Sequence, residues 1–235
     1  MAEIIIALDY PRLDAALSLV DRVGDAVSFY KVGPVLYTRT GPTVLRELRG
    51  RGKRIFLDLK LHDIPNTVAH AVEAVAELEV DLLTLHASGG TAMMRAAAEA
   101  AGPQGPRLLG VTLLTSFTPG DVEEVWGKQL LSVRDETLRL VALAGEAGLH
   151  GIVTSALEAE AVKRRQGADF LVVTPGIRPS GDLADDQART ATPAEAVRAG
   201  ADYLVIGRPV TGAPEPADVV ARIRAEMDSA LEAAG

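Results

Sequence analysis

Short runs of Ile, Val and Leu alternate along the chain with longer stretches rich in Ala, Leu and Glu, in which apolar positions recur every three to four residues. Brief, nearly continuous apolar runs suit strands buried on both faces, and the longer period suits amphipathic helices laid over them. The strands are predicted at 4–8, 29–32, 54–59, 82–86, 108–113, 151–153, 170–173 and 203–206. The helices are predicted at 13–23, 38–49, 66–78, 91–100, 134–147, 156–165, 192–199 and 217–233. Regular βα alternation of this kind predicts an α/β fold, a (β/α)8 TIM barrel, as a single domain over 1–235. Two connections, 116–132 and 175–189, are longer than such units need, and both follow strands. They therefore belong to the face on which barrels carry their chemistry.

Composition narrows the picture without changing it. A chain of 235 residues that is 48% hydrophobic can fill one deep core. The absence of Cys removes disulfides, thiolate metal sites and a Cys nucleophile, and fits a reducing, cytoplasmic location. The opening MAEIIIALDY has no basic segment, and its apolar run is too short for a signal peptide or a membrane span, so no membrane association is expected. A net charge of -8, with no basic grouping beyond Lys163, Arg164 and Arg165, argues against a nucleic-acid partner. An anionic ligand would have to be captured by a local site.

Polar residues at the strand ends supply such a site. Asp9 ends the first strand, Lys31 the second, Asp58 and Lys60 the third, His86 the fourth, Thr115 and Ser116 the fifth, and Thr154 and Ser155 the sixth. Arg178 follows the seventh strand, and Gly207 with Arg208 follow the eighth. The densest motif is DLKLHDIPNT, 58–67. Side chains alternate faces along a strand, so Asp58 and Lys60 can both enter the barrel mouth while Leu57 and Leu59 pack outward. Asp63 falls beyond the strand, in the loop, and Thr67 in the first turn of the third helix. Taken alone, Asp-x-Lys is either a structural ion pair or a functional one. Lys31 favours the second: lysines alternating with aspartates place a fixed ammonium beside fixed negative charge. That arrangement suits loss of a substrate carboxylate as CO2, with stabilisation and protonation of the carbanion left behind.

IGRPVTG, 206–212, puts a glycine and a guanidinium after the last strand, where barrels commonly hold phosphate. PGIRPSGDLADDQARTATP, 175–193, reads as a lid in which Arg178 and Gln187 offer donors to phosphate and to a pyrimidine edge. The alternative is a solvated loop. Asp9 either accepts ribose hydroxyls or caps the following turn. His86 reads as structural, and Trp126, Met93 and Met94 as packing.

At these residues the chain resembles the orotidine 5'-monophosphate decarboxylase family, from the first strand to the last helix. DLKLHDIPNT, LTS at 114–116, TPGIRP at 174–179 and IGRPV at 206–210 occur in that family's order and spacing. The resemblance implies a cofactor-free, metal-free homodimer that converts orotidine 5'-monophosphate to UMP. It implies a charged tetrad of Lys31, Asp58, Lys60 and Asp63, with Asp63 and Thr67 reaching into the neighbouring subunit's site and Lys60 protonating carbon 6. It further implies that Asp9 and Lys31 hold the ribose, Ser116 and Gln187 the pyrimidine edge, and Arg178, Gln187, Gly207 and Arg208 the phosphate region. Thr115, beside Ser116, could take the same contact. Two other readings stand beside this one. The first is a metal-dependent phosphosugar enzyme with an Asp-x-Lys-x-x-Asp motif, which by the resemblance would carry a carboxylate where this chain has Lys31. The second is a catalytically silent nucleotide-binding barrel, which has no need of a proton donor.

Overall fold

The computed structural model describes residues 2–114, 116–127, 132–180 and 190–232. Eight parallel strands close in chain order into one barrel: β1 (Glu3–Ala7), β2 (Phe29–Val32), β3 (Arg54–Leu61), β4 (Leu82–His86), β5 (Arg107–Val111), β6 (Gly151–Val153), β7 (Leu171–Thr174) and β8 (Tyr203–Ile206). Around them run α1 (Leu13–Val23), α2 (Pro34–Thr40), α3 (Thr43–Gly50), α4 (Pro65–Ala76), α5 (Gly90–Ala101), α6 (Pro119–Trp126), α7 (Val133–Glu146), α8 (Ala156–Gln166), α9 (Pro193–Arg198), α10 (Arg208–Thr211) and α11 (Pro216–Glu232).

Alternation along the strands divides the core in two. Inward residues such as Ile5, Phe29, Phe56, Leu109, Val173 and Val205 fill the barrel, while their outward neighbours pack against the helices. Each large apolar side chain buried in this way contributes roughly 1.5–3 kcal/mol. At the N-terminal end, Arg54 lies 4.1 Å over the Phe29 ring and donates to Glu3 at 2.7 Å. Phe29 in turn meets Tyr203 edge-on at 5.6 Å. Rings and an ion pair thus close that end, and the cavity lies at the other. Among the described residues no helix is long and apolar enough to cross a membrane.

Three departures from the predicted elements have local causes. The helix expected at 38–49 is two, because Gly41 takes φ 55 and donates its N–H to the Tyr37 carbonyl, and Pro42 then stops the first helix. The connection 116–132 contains α6, started by Thr118: its hydroxyl accepts the Asp121 amide while the Asp121 carboxylate accepts the Thr118 amide at 2.7 Å. A short helix, α10, also follows β8 directly.

Candidate active site at the C-terminal mouth of the barrel

A cavity of about 500 Å³ opens at the C-terminal strand ends. Phe56, Val111, Val153 and Val205 form its apolar floor. Asp9, Lys31, Asp58 and Lys60, from the ends of β1 to β3, line it together with Arg178, Gly207 and Arg208, which follow β7 and β8; the closed barrel sets β8 beside β1. Asp9, Lys31, Asp58, Lys60, Thr154, Arg178, Gly207 and Arg208, all singled out in the sequence, therefore meet in one space. A row of alternating charge and a cationic end sharing one cavity with an apolar floor fit a flat ligand that carries an anion at one end.

The charged wall is built on an irregularity in β3. Leu57 pairs with Leu83 and Leu61 with Leu85, so Asp58, Leu59 and Lys60 stand opposite Thr84 alone. Such a bulge re-aims side chains, and here Lys60 takes the left-handed conformation at φ 52. Its ammonium donates to Asp58 Oδ2 at 2.8 Å. Lys31 Nζ approaches the same oxygen at 3.5 Å and Asp9 Oδ1 at 3.1 Å. The result is a row of alternating charge, Asp9, Lys31, Asp58, Lys60. Asp58 and Lys60 both line the mouth, as expected from the sequence, but the bulge and not strand alternation alone sets the position of Lys60.

Asp58 is 6% exposed. Burial alone pushes its carboxyl up, but the positive charges of Lys31 and Lys60 and the hydrogen bonds from Lys60 and Thr84 outweigh it, and the carboxyl lies below the usual carboxylate range. His86 is shifted the opposite way from a paired histidine: burial, then His62 and Lys60, lower its pKa and favour the neutral ring. His86 meets His62 at 5.3 Å between ring centroids.

Arg178, Gly207 and Arg208 are held by the described ends of the connection 175–193 and by the β8 turn. Ile177 and Ala191 form an isolated parallel bridge, and the Arg178 amide donates to the Ala191 carbonyl at 2.9 Å. Gly207 caps α10, and a Cβ there would meet nothing closer than Ala7 Cβ at 3.9 Å, so the glycine leaves bare backbone towards the cavity. Arg208 is the first residue of α10.

Other expected site residues lie elsewhere. Asp63 and Thr67 are on the exposed run 62–67, outside the cavity of their own chain, and the Asp63 carboxylate accepts the Ile64 amide at 2.7 Å. Ser116 is exposed and does not line the cavity, whereas Leu114 and Thr154 do. Gln187 and Thr115 lie outside the described residues. Sequence reasoning passed over Thr84, which is fully buried and contacts both Asp58 and Lys60. Its signal was a lone hydroxyl in the middle of LLTLH, a strand otherwise apolar up to its final His.

Comparison with known proteins bears on this geometry. The profile of the "Orotidine 5'-phosphate decarboxylase / HUMPS family" matches residues 2–223. The orotidine 5'-phosphate decarboxylase of Chromohalobacter salexigens is 50% identical over 230 residues, covering 95% of each chain. That of Vibrio cholerae serotype O1 is 48% identical over 229 residues, covering 96% of this chain and 98% of its own. Among solved structures, orotidine 5'-phosphate decarboxylase from Lactobacillus acidophilus superposes with a TM-score of 0.86 at 34% identity, over 97% of this chain and all of that one.

Proposed function

The chain belongs to the orotidine 5'-phosphate decarboxylase / HUMPS family, and from that premise we propose that it decarboxylates orotidine 5'-monophosphate to UMP, the last step of de novo pyrimidine nucleotide synthesis. The observation that carries the reading is the row Asp9, Lys31, Asp58, Lys60 lining one cavity with Arg178, Gly207 and Arg208 above an apolar floor. The ring of the nucleotide lies on the floor, its phosphate meets Arg208, Arg178 and the Gly207 backbone, and its ribose hydroxyls meet Asp9 and Lys31. Ser116 and Gln187 are assigned to the pyrimidine edge as the lid closes.

In this mechanism the bond between carbon 6 and the carboxylate breaks, CO2 leaves, and the electron pair stays on carbon 6. The Lys60 ammonium stabilises that pair electrostatically and then transfers a proton to carbon 6; the resulting amine recovers its proton from solvent. Asp58 holds the ammonium in place beforehand, so little reorganisation is needed when charge develops. Grip on the remote phosphate supplies binding energy that can be used to close the lid and align the reacting carbon.

The same chemistry needs neither a metal nor an organic cofactor. Lys31, 3.5 Å from Asp58, sets a cation where the phosphosugar reading would need a metal-binding carboxylate. We assign the active form to a homodimer in which Asp63 and Thr67 enter the partner's cavity. The exposure of the run 62–67, with Ile64 67% exposed, supports this. We place the enzyme in the cytoplasm, where a cysteine-free biosynthetic enzyme is at home.

Loss of the orotate absorbance on adding protein to orotidine 5'-monophosphate tests the proposal. Turnover that persists through exhaustive chelation is expected. Turnover that chelation stops and Mg2+ restores would instead favour the phosphosugar reading, and binding of the nucleotide without turnover would favour the silent barrel.

A further inference from the structure

We propose that Thr84 is the positioning residue of the charged row: its hydroxyl, accepting from the Lys60 amide and donating to Asp58, holds Lys60 in the backbone conformation that carries its ammonium to Asp58. The inference rests on the decarboxylase reading for its activity measurements, and on geometry alone for its contacts.

A lysine at φ 52 is disfavoured, because its Cβ crowds the following carbonyl. The bulge also removes the ladder partner of its amide, and an N–H left unpaired in a buried place is costly. The Thr84 hydroxyl resolves both problems by accepting that amide at 2.9 Å. A hydroxyl has one proton, and that proton is directed to Asp58 Oδ1 at 2.9 Å. Thr84 is fully buried, so water cannot stand in for it. Its branched Cβ restricts χ1 and keeps the hydroxyl aimed.

The direction of these bonds matters for the chemistry. Oδ1 of Asp58 accepts from Thr84, and Oδ2 accepts from Lys60 with Lys31 beyond it. Among the described residues, each hydrogen-bond or ion-pair partner of the carboxylate is a donor or a cation, so protonating Asp58 requires breaking one of these contacts. The other titratable and charged groups around it are Asp9 beside Lys31, His86 at the end of β4 with His62 against it, and Arg178 and Arg208 in the same cavity. None of them bonds Asp58 in place of Thr84.

The experiment compares T84V, which replaces the hydroxyl by a methyl, with T84S, which keeps it. For T84V, kcat on orotidine 5'-monophosphate should fall roughly ten- to a hundredfold, the scale of losing a hydrogen bond to a charged group, with KM changed by less than about threefold. The acid limb of kcat should move to higher pH by roughly one unit, because Asp58 loses a bond that favours its charged form. T84S should restore most of the activity and the original limb. The inference is overturned if T84V stays within about twofold of the parent, if its activity falls with the limb unmoved, or if T84S is as impaired as T84V. Should T84V not fold, the unaltered protein carries the test: slow hydrogen exchange at the Lys60 amide is expected, and exchange at the rate of an open amide sinks the proposal. An unaltered protein inert towards the nucleotide would refute the decarboxylase reading and leave the exchange measurement to decide on Thr84.

Discussion

The Lys31 ammonium lies 3.3 Å from where a Cβ on Gly33 would stand. Asp9 Oδ1, to which Lys31 donates, is 3.4 Å from the same point. Gly33 has φ -93 and ψ 179, a conformation open to any residue, so its glycine is needed for the space and not for the backbone. Gly33→Ala should therefore leave thermal stability within about 1 kcal/mol of the parent, since only the end of a flexible side chain has to move. It should lower kcat/KM by roughly tenfold, because Lys31 and Asp9 are displaced from the ligand. Melting curves set beside steady-state kinetics check this, and an unfolded or fully active variant contradicts it.

The depressed pKa of Asp58 fixes the sign of a pH effect. A carboxyl whose folded pKa lies below its unfolded one contributes stability that is fully present above the ordinary carboxylate value and is lost as pH falls through the folded value. Asp58→Asn should cost roughly 1–3 kcal/mol near neutrality, where it leaves donors without their acceptor, and the gap to the parent should narrow on acidification. Denaturant titrations of both proteins across that range measure the gap. A gap that widens towards low pH would mean that Asp58 is not held charged.

Lys60→Ala should abolish decarboxylation yet leave a protein that binds UMP, because the proposed donor to carbon 6 is lost while Arg178, Gly207 and Arg208 keep their places. Turnover and calorimetric binding are the two readouts. Substantial remaining turnover would remove Lys60 from its role.

Much of this architecture is legible in the sequence, and the parts that are not share a physical reason. The strands of β2, β4, β6 and β8 fall where predicted, since short apolar runs buried on both faces leave a strong signal. The break at Gly41–Pro42 and the start of α6 at Thr118 are written locally, but the apolar period running through one and the Pro-Gly pair opening the other mask them. The bulge at Lys60 is different. It depends on which residues of β4 stand opposite β3, so neither φ 52 nor the part played by Thr84 follows from local pattern. The role proposed for Asp63 and Thr67 is harder still, because contacts within one chain cannot test a role exercised in another.

Arg208→Ala should weaken UMP binding by roughly 2–4 kcal/mol, the scale of losing one member of a charged hydrogen-bonded pair. Arg208 is exposed on a four-residue helix, so the fold should be indifferent to the change. Affinity for UMP and for uridine should be measured together. The loss is expected only for the phosphorylated ligand, and equal loss for both, or none, would place the phosphate elsewhere.

Asp63 sits beyond the end of β3, exposed, with its carboxylate turned to the Ile64 amide and away from the cavity of its own chain. If it completes the site of a two-fold partner, each active site draws Lys60 from one chain and Asp63 from the other. Lys60→Ala and Asp63→Ala homodimers should then each be nearly inactive, since every site in either carries a lesion. A mixed dimer distributes the lesions differently: one site receives both, and the other is wholly native. With random exchange about half the dimers are mixed, so roughly a quarter of all sites should be native, and activity should return on mixing to about that fraction of the parent. Exchange itself is verified by mass spectrometry of the mixture. If mixed dimers are present and activity does not return, Asp63 acts within its own chain, and the exposed run 62–67 needs another explanation.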